Sequence, residues 1–161
     1  MAVTEVIDTV GGVLKKIVGD NEPQVTYNDL LANAVPKGVD ASGLVSKGWS
    51  MVMIPFKGTW TGWPDSTCEI RLRFAHSARH KNGGAFITSV VGWVEAIDPA
   101  WRHKITVTFK AADPYLTYAY GEKTPVAVLP VRVEYLEKGV FDNAQAFAQY
   151  YLYGNGHSEK G

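Results

Sequence analysis

The chain has almost no cysteine. Cys68 is the only one in 161 residues, so no internal disulfide can form and packing alone must hold the fold. Long apolar runs are also missing. No stretch approaches the ~20 residues of a membrane-spanning helix, and the N-terminus lacks the basic start and apolar run of a secretory signal. No Asn-x-Ser/Thr sequon occurs. Enzyme signatures are absent too: there is no Walker loop, no dinucleotide-binding glycine pattern and no Gly-x-Ser-x-Gly elbow. The four histidines lack metal-ligand spacing. Cys68 beside His76 or His103 has no third group to orient a nucleophile pair, and it leads into a core strand. No catalytic residue, metal or cofactor is expected.

Net charge is the last thing missing. Sixteen basic and sixteen acidic side chains cancel to zero, yet they are not evenly spread. Residues 71–110 carry Arg71, Arg73, Arg79, Lys81, Arg102, Lys104 and Lys110 against only Glu95 and Asp98, a net of +5. Three of the four histidines share that stretch. A neutral protein that gathers its cations in one region is suited to keep a face for anions, or for the acidic face of a neighbour. The candidate nucleic-acid or anion-binding residues are therefore Arg71, Arg73, Arg79, Lys81, Arg102 and Lys104. Arginine forks suit phosphate or carboxylate. The alternative is a solvated strand face. No RNA-recognition, zinc-finger or helix-turn-helix signature accompanies the cluster.

What the chain has in plenty is aromatic residues, at 12%, with five Trp and eight Tyr. The loop from Gly58 to Asp65 holds Trp60 and Trp63 among glycines and threonines. Such rings stack on sugars or choline headgroups, or plug the end of a β-core.

Periodicity divides the chain. Val3, Val6, Ile7, Val10, Val13, Leu14, Ile17 and Val18 recur at three- and four-residue steps, which predicts a short amphipathic helix over residues 1–18. Gly11 and Gly12 weaken it. Residues 26–31 read as a second, shorter helix. From residue 49 the period becomes two, and residues 49–154 read as a strand-dense core. Ile70, Leu72 and Phe74, then Ile105, Val107 and Phe109, then Val131 and Val133 alternate with polar neighbours and line one core. Residues 49–54 are apolar on both alternating sets, so that strand is expected to be covered on both faces. Pro130 is expected on an edge or at a bulge. Seven or eight strands without crossover helices predict an all-β fold: one domain over residues 1–161, an antiparallel β-sandwich of jelly-roll type with an N-terminal helix.

Three functional expectations follow. The first is a non-enzymatic structural protein that self-assembles, such as a small viral coat protein. Its partners are copies of itself and nucleic acid at the basic cluster, and its place is the virion or cytoplasm. The long Arg/Lys arm of many RNA-packaging coats is absent. The second is a membrane-active sandwich, with the helix ahead of the β-core. The third is a glycan-binding module using Trp60 and Trp63.

Overall fold

The computed structural model describes residues 11–17, 24–32, 35–36, 46–77, 85–118 and 125–161, with the first two segments described through their backbone alone. Ten strands run in chain order: β1 Gly11–Ile17, β2 Gln24–Ala32, β3 Ser46–Gly58, β4 Ser66–Ser77, β5 Ile87–Asp98, β6 Lys104–Ala111, β7 Tyr115–Thr117, β8 Val126–Lys138, β9 Asn143–Tyr153 and β10 Ser158–Lys160. No helix occurs among the described residues.

The strands follow one hydrogen-bonded path, β10-β9-β8-β6-β2-β5-β4-β3, with β1 attached to β2 and β7 to β8. Every pairing is antiparallel except β2 with β6. β3, β4 and β5 are sequential hairpin neighbours. β2 precedes them in the chain yet lies beside β5, which is the strand order of a Greek key. β2 also joins the two halves of the path. Val25–Tyr27 pairs with Ile105–Val107 of β6, while Leu31 and Ala32 pair with Val91 and Val90 of β5.

Two sequence expectations fail here. Residues 11–17 are strand, and β1 pairs along its whole length with β2, from Gly11↔Leu30 to Ile17↔Gln24. Residues 26–31 belong to that partner strand rather than to a helix. Gly11 and Gly12 each cost a helix about 1 kcal/mol, and the branched Val13 and Ile17 favour an extended backbone. Pairing with β2 along the whole length of β1 then decides the outcome. Residues 1–10 and 18 of the expected helix lie outside the described residues.

Alternation from residue 49 fixes the core as expected. Ile70, Leu72 and Phe74 of β4, Ile105, Val107 and Phe109 of β6, and Val131 and Val133 of β8 are buried in one cluster with Val52, Ile54 and Phe56 of β3. Strands from both ends of the path thus share one interior. Phe56 of β3 stacks on Tyr135 of β8, with ring centroids 5.1 Å apart. Gly92 of β5 admits the Phe109 ring, because a Cβ there would lie 2.7 Å from it. Pro130 sits inside β8, in contact with neither an edge nor a bulge. It falls between the β6 ladder, which ends at Val131, and the β7 ladder, which begins at Val128, so its missing N–H interrupts neither.

The strand at residues 46–58 departs from expectation on one side. Val52, Ile54 and Phe56 are buried, but Trp49, Met51 and Met53 are exposed by 54%, 40% and 62%. Among the described residues β3 pairs only with β4 and closes the path, so its far edge has no neighbour strand.

Candidate functional site

The connections β3–β4, β5–β6 and β8–β9 gather at one end of the fold around a buried carboxylate. Glu137, the penultimate residue of β8, is fully buried, as are Ser66 at the start of β4 and His103 just before β6. Ser66 Oγ donates to Glu137 Oε2 at 2.5 Å. His103 Nδ1 meets the same oxygen, and the Tyr135 hydroxyl donates to Oε1. Ser66 Oγ in turn accepts from the Ala100 amide at 2.9 Å. One carboxylate therefore ties together three chain segments far apart in sequence, with three polar partners for its two oxygens.

The tie resembles catalytic residues in composition only. In a nucleophilic triad the imidazole stands between the hydroxyl and the carboxylate. Here the carboxylate stands between Ser66 and His103, and no member is exposed. Cys68, two residues on from Ser66, is buried, and its thiol is pushed up to about 12 by burial and then by the charge of Glu137. That thiol is a poor nucleophile at neutral pH. The Tyr135 hydroxyl is held above its ordinary range by burial, then by its hydrogen bond to Glu137 and by that group's charge. Among the described residues no three His, Cys, Asp or Glu side chains are arranged to hold a metal ion.

Outside this tie the same end is aromatic and basic. The His103 amide donates to the Ala100 carbonyl at 3.0 Å, which closes a tight turn with Trp101 and Arg102 at its centre. Arg102 has φ 60°, a left-handed backbone that this turn position usually reserves for glycine. The guanidinium lies 4.7 Å from the centroid of the Trp101 ring. Trp63 stacks on Trp101 with centroids 5.5 Å apart and planes 20° apart. Trp60 meets His103 edge-on at 4.4 Å, and its Nε1 is buried without a hydrogen-bond partner beside Gly58. The β8–β9 turn closes against the imidazole. A Cβ at Gly139 would lie 3.0 Å from the His103 ring, and the neighbouring Phe141 is 84% exposed.

The basic residues named from sequence are dispersed by this fold. Arg71 and Arg73 share the outer face of β4, as their spacing requires. Arg71 faces Met53 and Trp93 across the ladder, and Arg73 faces Met51 and Val91. Arg71 makes an ion pair with Glu69 at 2.8 Å, at an angle unsuited to a hydrogen bond. Arg73 lies 4.2 Å from the centroid of the Trp49 ring. Between Trp49 and Trp93 runs a groove of about 350 Å³, lined also by Arg73, Ala75, Ser89 and Val91. Arg102 belongs to the loop end, and Lys104 stands opposite Lys138 across β6 and β8. Arg79 and Lys81 lie outside the described residues. Trp60 and Trp63 are both at the loop end, as their shared loop predicts. Sequence reasoning missed Trp101, Lys138, Phe141 and Glu137: the pairing of β6 with β8 sets Lys138 and Glu137 beside Lys104 and Ile105, and Trp101 meets Trp63 only in the folded chain.

No family model, curated protein or solved structure matches this chain. Among the described residues no helix is long and apolar enough to cross a membrane.

Proposed function

We propose that this protein is a non-enzymatic structural subunit that assembles with copies of itself, most simply as a small viral coat protein. On this reading residues 1–161 form one domain, and the β3–β4–β5 and β6–β8–β9 units close as a β-sandwich of jelly-roll type. The observation that carries the reading is the outer face of β3–β4–β5. Trp49, Met51, Met53, Arg71, Arg73, Val91 and Trp93 stand together on it, with Lys57 only at its far end, and Trp, Met and Arg gathered on one face are the composition of an interface core.

A second copy is the fitting occupant. Residues 48–54 of β3 contain no charge, and their edge has no partner strand among the described residues. Such an edge pairs readily with another strand, and antiparallel pairing of two β3 strands across a twofold axis would join the two apolar faces. Pro55 and Lys57 guard the far end of the strand and confine pairing to residues 48–54. Zero net charge leaves little repulsion between copies. Burial of Ser66, His103 and Glu137 agrees with a structural tie rather than a reaction centre.

Light scattering tests the reading. The wild type is expected as an oligomer, and the double variant Met51→Lys/Met53→Lys as a smaller species with unchanged circular dichroism. A wild type that stays monomeric at high concentration would remove the proposal. So would a double variant of undiminished size.

A further inference from the structure

We infer that the loop end of the fold is a binding site for single-stranded nucleic acid, an inference that rests on the coat-protein reading and locates its contact with the packaged strand. The sequence spread this role over six basic residues. The structure concentrates the suitable chemistry in Trp63, Trp101, Arg102, Lys104, Lys138 and Phe141.

The first observation is charge. Lys104 and Lys138 are direct partners across β6 and β8, so their side chains leave the sheet on the same side, about 5 Å apart at Cβ. Like charges so placed repel. Both are exposed, and among the described residues neither has a carboxylate within ion-pair distance. By contrast Arg71, Lys110 and Arg132 each face a glutamate. Arg102 stands two residues before Lys104. Asp98 and Asp142 lie in the flanking loops and partly offset this charge. A phosphate chain along the pair would relieve the repulsion and supply the missing counter-charge.

The second observation is stacking surface. Trp101 is 51% exposed and Phe141 84%, and Trp63 and Arg102 both pack on Trp101. Aromatic rings beside cations are the recurring platform for unpaired bases, since every base offers a π-face.

The third observation is preorganisation. The turn that displays Trp101 and Arg102 is fixed at both ends by the buried carboxylate: Ala100 through Ser66, and His103 directly. Arg102 is held in a backbone conformation unfavourable for a side chain with a Cβ. Strain of this kind persists only where surroundings over-determine it, and it gathers at ligand sites. The Glu137 tie is therefore the support of the platform. Its members position Trp101 and Arg102 without touching the strand.

Fluorescence anisotropy with a labelled twelve-nucleotide oligouridylate tests this, using wild type and variants checked by circular dichroism. Wild type is expected to bind at low salt, with log K falling by roughly 2 per log unit of salt for three phosphate contacts, and with quenching of tryptophan emission. Lys104→Glu/Lys138→Glu should reduce binding at least tenfold. Arg102→Gly should weaken it several-fold while melting at the same or a higher temperature, because glycine accepts the positive φ. Met51→Lys/Met53→Lys should bind the oligonucleotide like wild type even where assembly is lost, which separates this inference from the assembly face. No binding by wild type at low salt would overturn the inference. Equal affinity of the lysine double variant would do so too. Quenching by a neutral oligosaccharide but not by the oligonucleotide would replace it with a glycan site.

Discussion

The two outer faces of this protein are built by the same alternation and differ in almost everything else. On β6, β8 and β9, the side chains opposite the core include Lys110, Arg132, Glu134 and Phe147. Glu134 lies 3.2 Å from both Lys110 and Arg132, and Arg132 covers the Phe147 ring at 3.8 Å. On β3, β4 and β5, the corresponding positions are Trp49, Met51, Met53, Arg71 and Arg73; Arg71 pairs with Glu69 and Arg73 lies over the Trp49 ring, but among the described residues nothing covers Met51 and Met53, which are 40% and 62% exposed. The first face satisfies itself. The second leaves large apolar groups in water beside an open strand edge. Alternation determines which side is buried, and the residues on the other side determine whether that face is finished or waits for a partner.

The comparison breaks first if the two units do not share a core. Phe74→Ala and Phe109→Ala, one from each unit, should each cost about 3–5 kcal/mol in urea unfolding, since both rings are fully buried. If either stays within 1 kcal/mol of wild type, the two units pack independently.

The tie between the units is the next test. Glu137→Leu leaves Ser66, His103 and Tyr135 without their acceptor and should cost about 3 kcal/mol. The turn at Trp101 should loosen with it, seen as faster proteolysis within residues 99–103. A stable variant with an unchanged digestion pattern would show that packing alone holds the loop end.

Alkaline unfolding probes the same interior from within. The fold favours the neutral Cys68 thiol, raised from 9.0 to about 12. Its contribution is therefore whole below pH 9 and is lost as pH rises towards 12. The melting temperature should fall across that window, with a shallower slope in Cys68→Val. In the folded protein at pH 8 Cys68 should resist alkylation.

The smallest effects belong to the faces themselves. Met53→Lys on the open face and Phe147→Lys on the finished one should each change stability by under about 1 kcal/mol. Only Met53→Lys should change the particle size. Glu134→Gln should cost below 1 kcal/mol, less still in high salt. A size change with Phe147→Lys but not Met53→Lys would exchange the roles of the two faces.

Much of this was legible in the sequence, and the rest was hidden for a physical reason. Period two exposed β4, β6 and β8 because one side of each is buried, so alternation is written into the residues. The β1–β2 hairpin was hidden because the apolar spacing of residues 3–18 satisfies a helix equally well, and pairing rather than pattern decided. Met51 and Met53 misled because an apolar side chain on a strand reads the same whether a core or a future partner covers it. At the loop end Trp60 and Trp63 stood out as neighbours. Glu137 did not, since its partners Ser66 and His103 lie 71 and 34 residues away.

That β2 joins both units has a consequence for the birth of the molecule. Its parallel partners in β6 lie some eighty positions later in the chain. At translation speeds of about 5–20 residues per second, those partners follow β2 out of the ribosome by roughly 4–16 s. The N-terminal hairpin must wait through that interval, while β3, β4 and β5 can already pair as they emerge. Docking of β2 is thus the late step, long-range and slow, and the two halves become one protein only when a segment made at the start finds a strand made near the end.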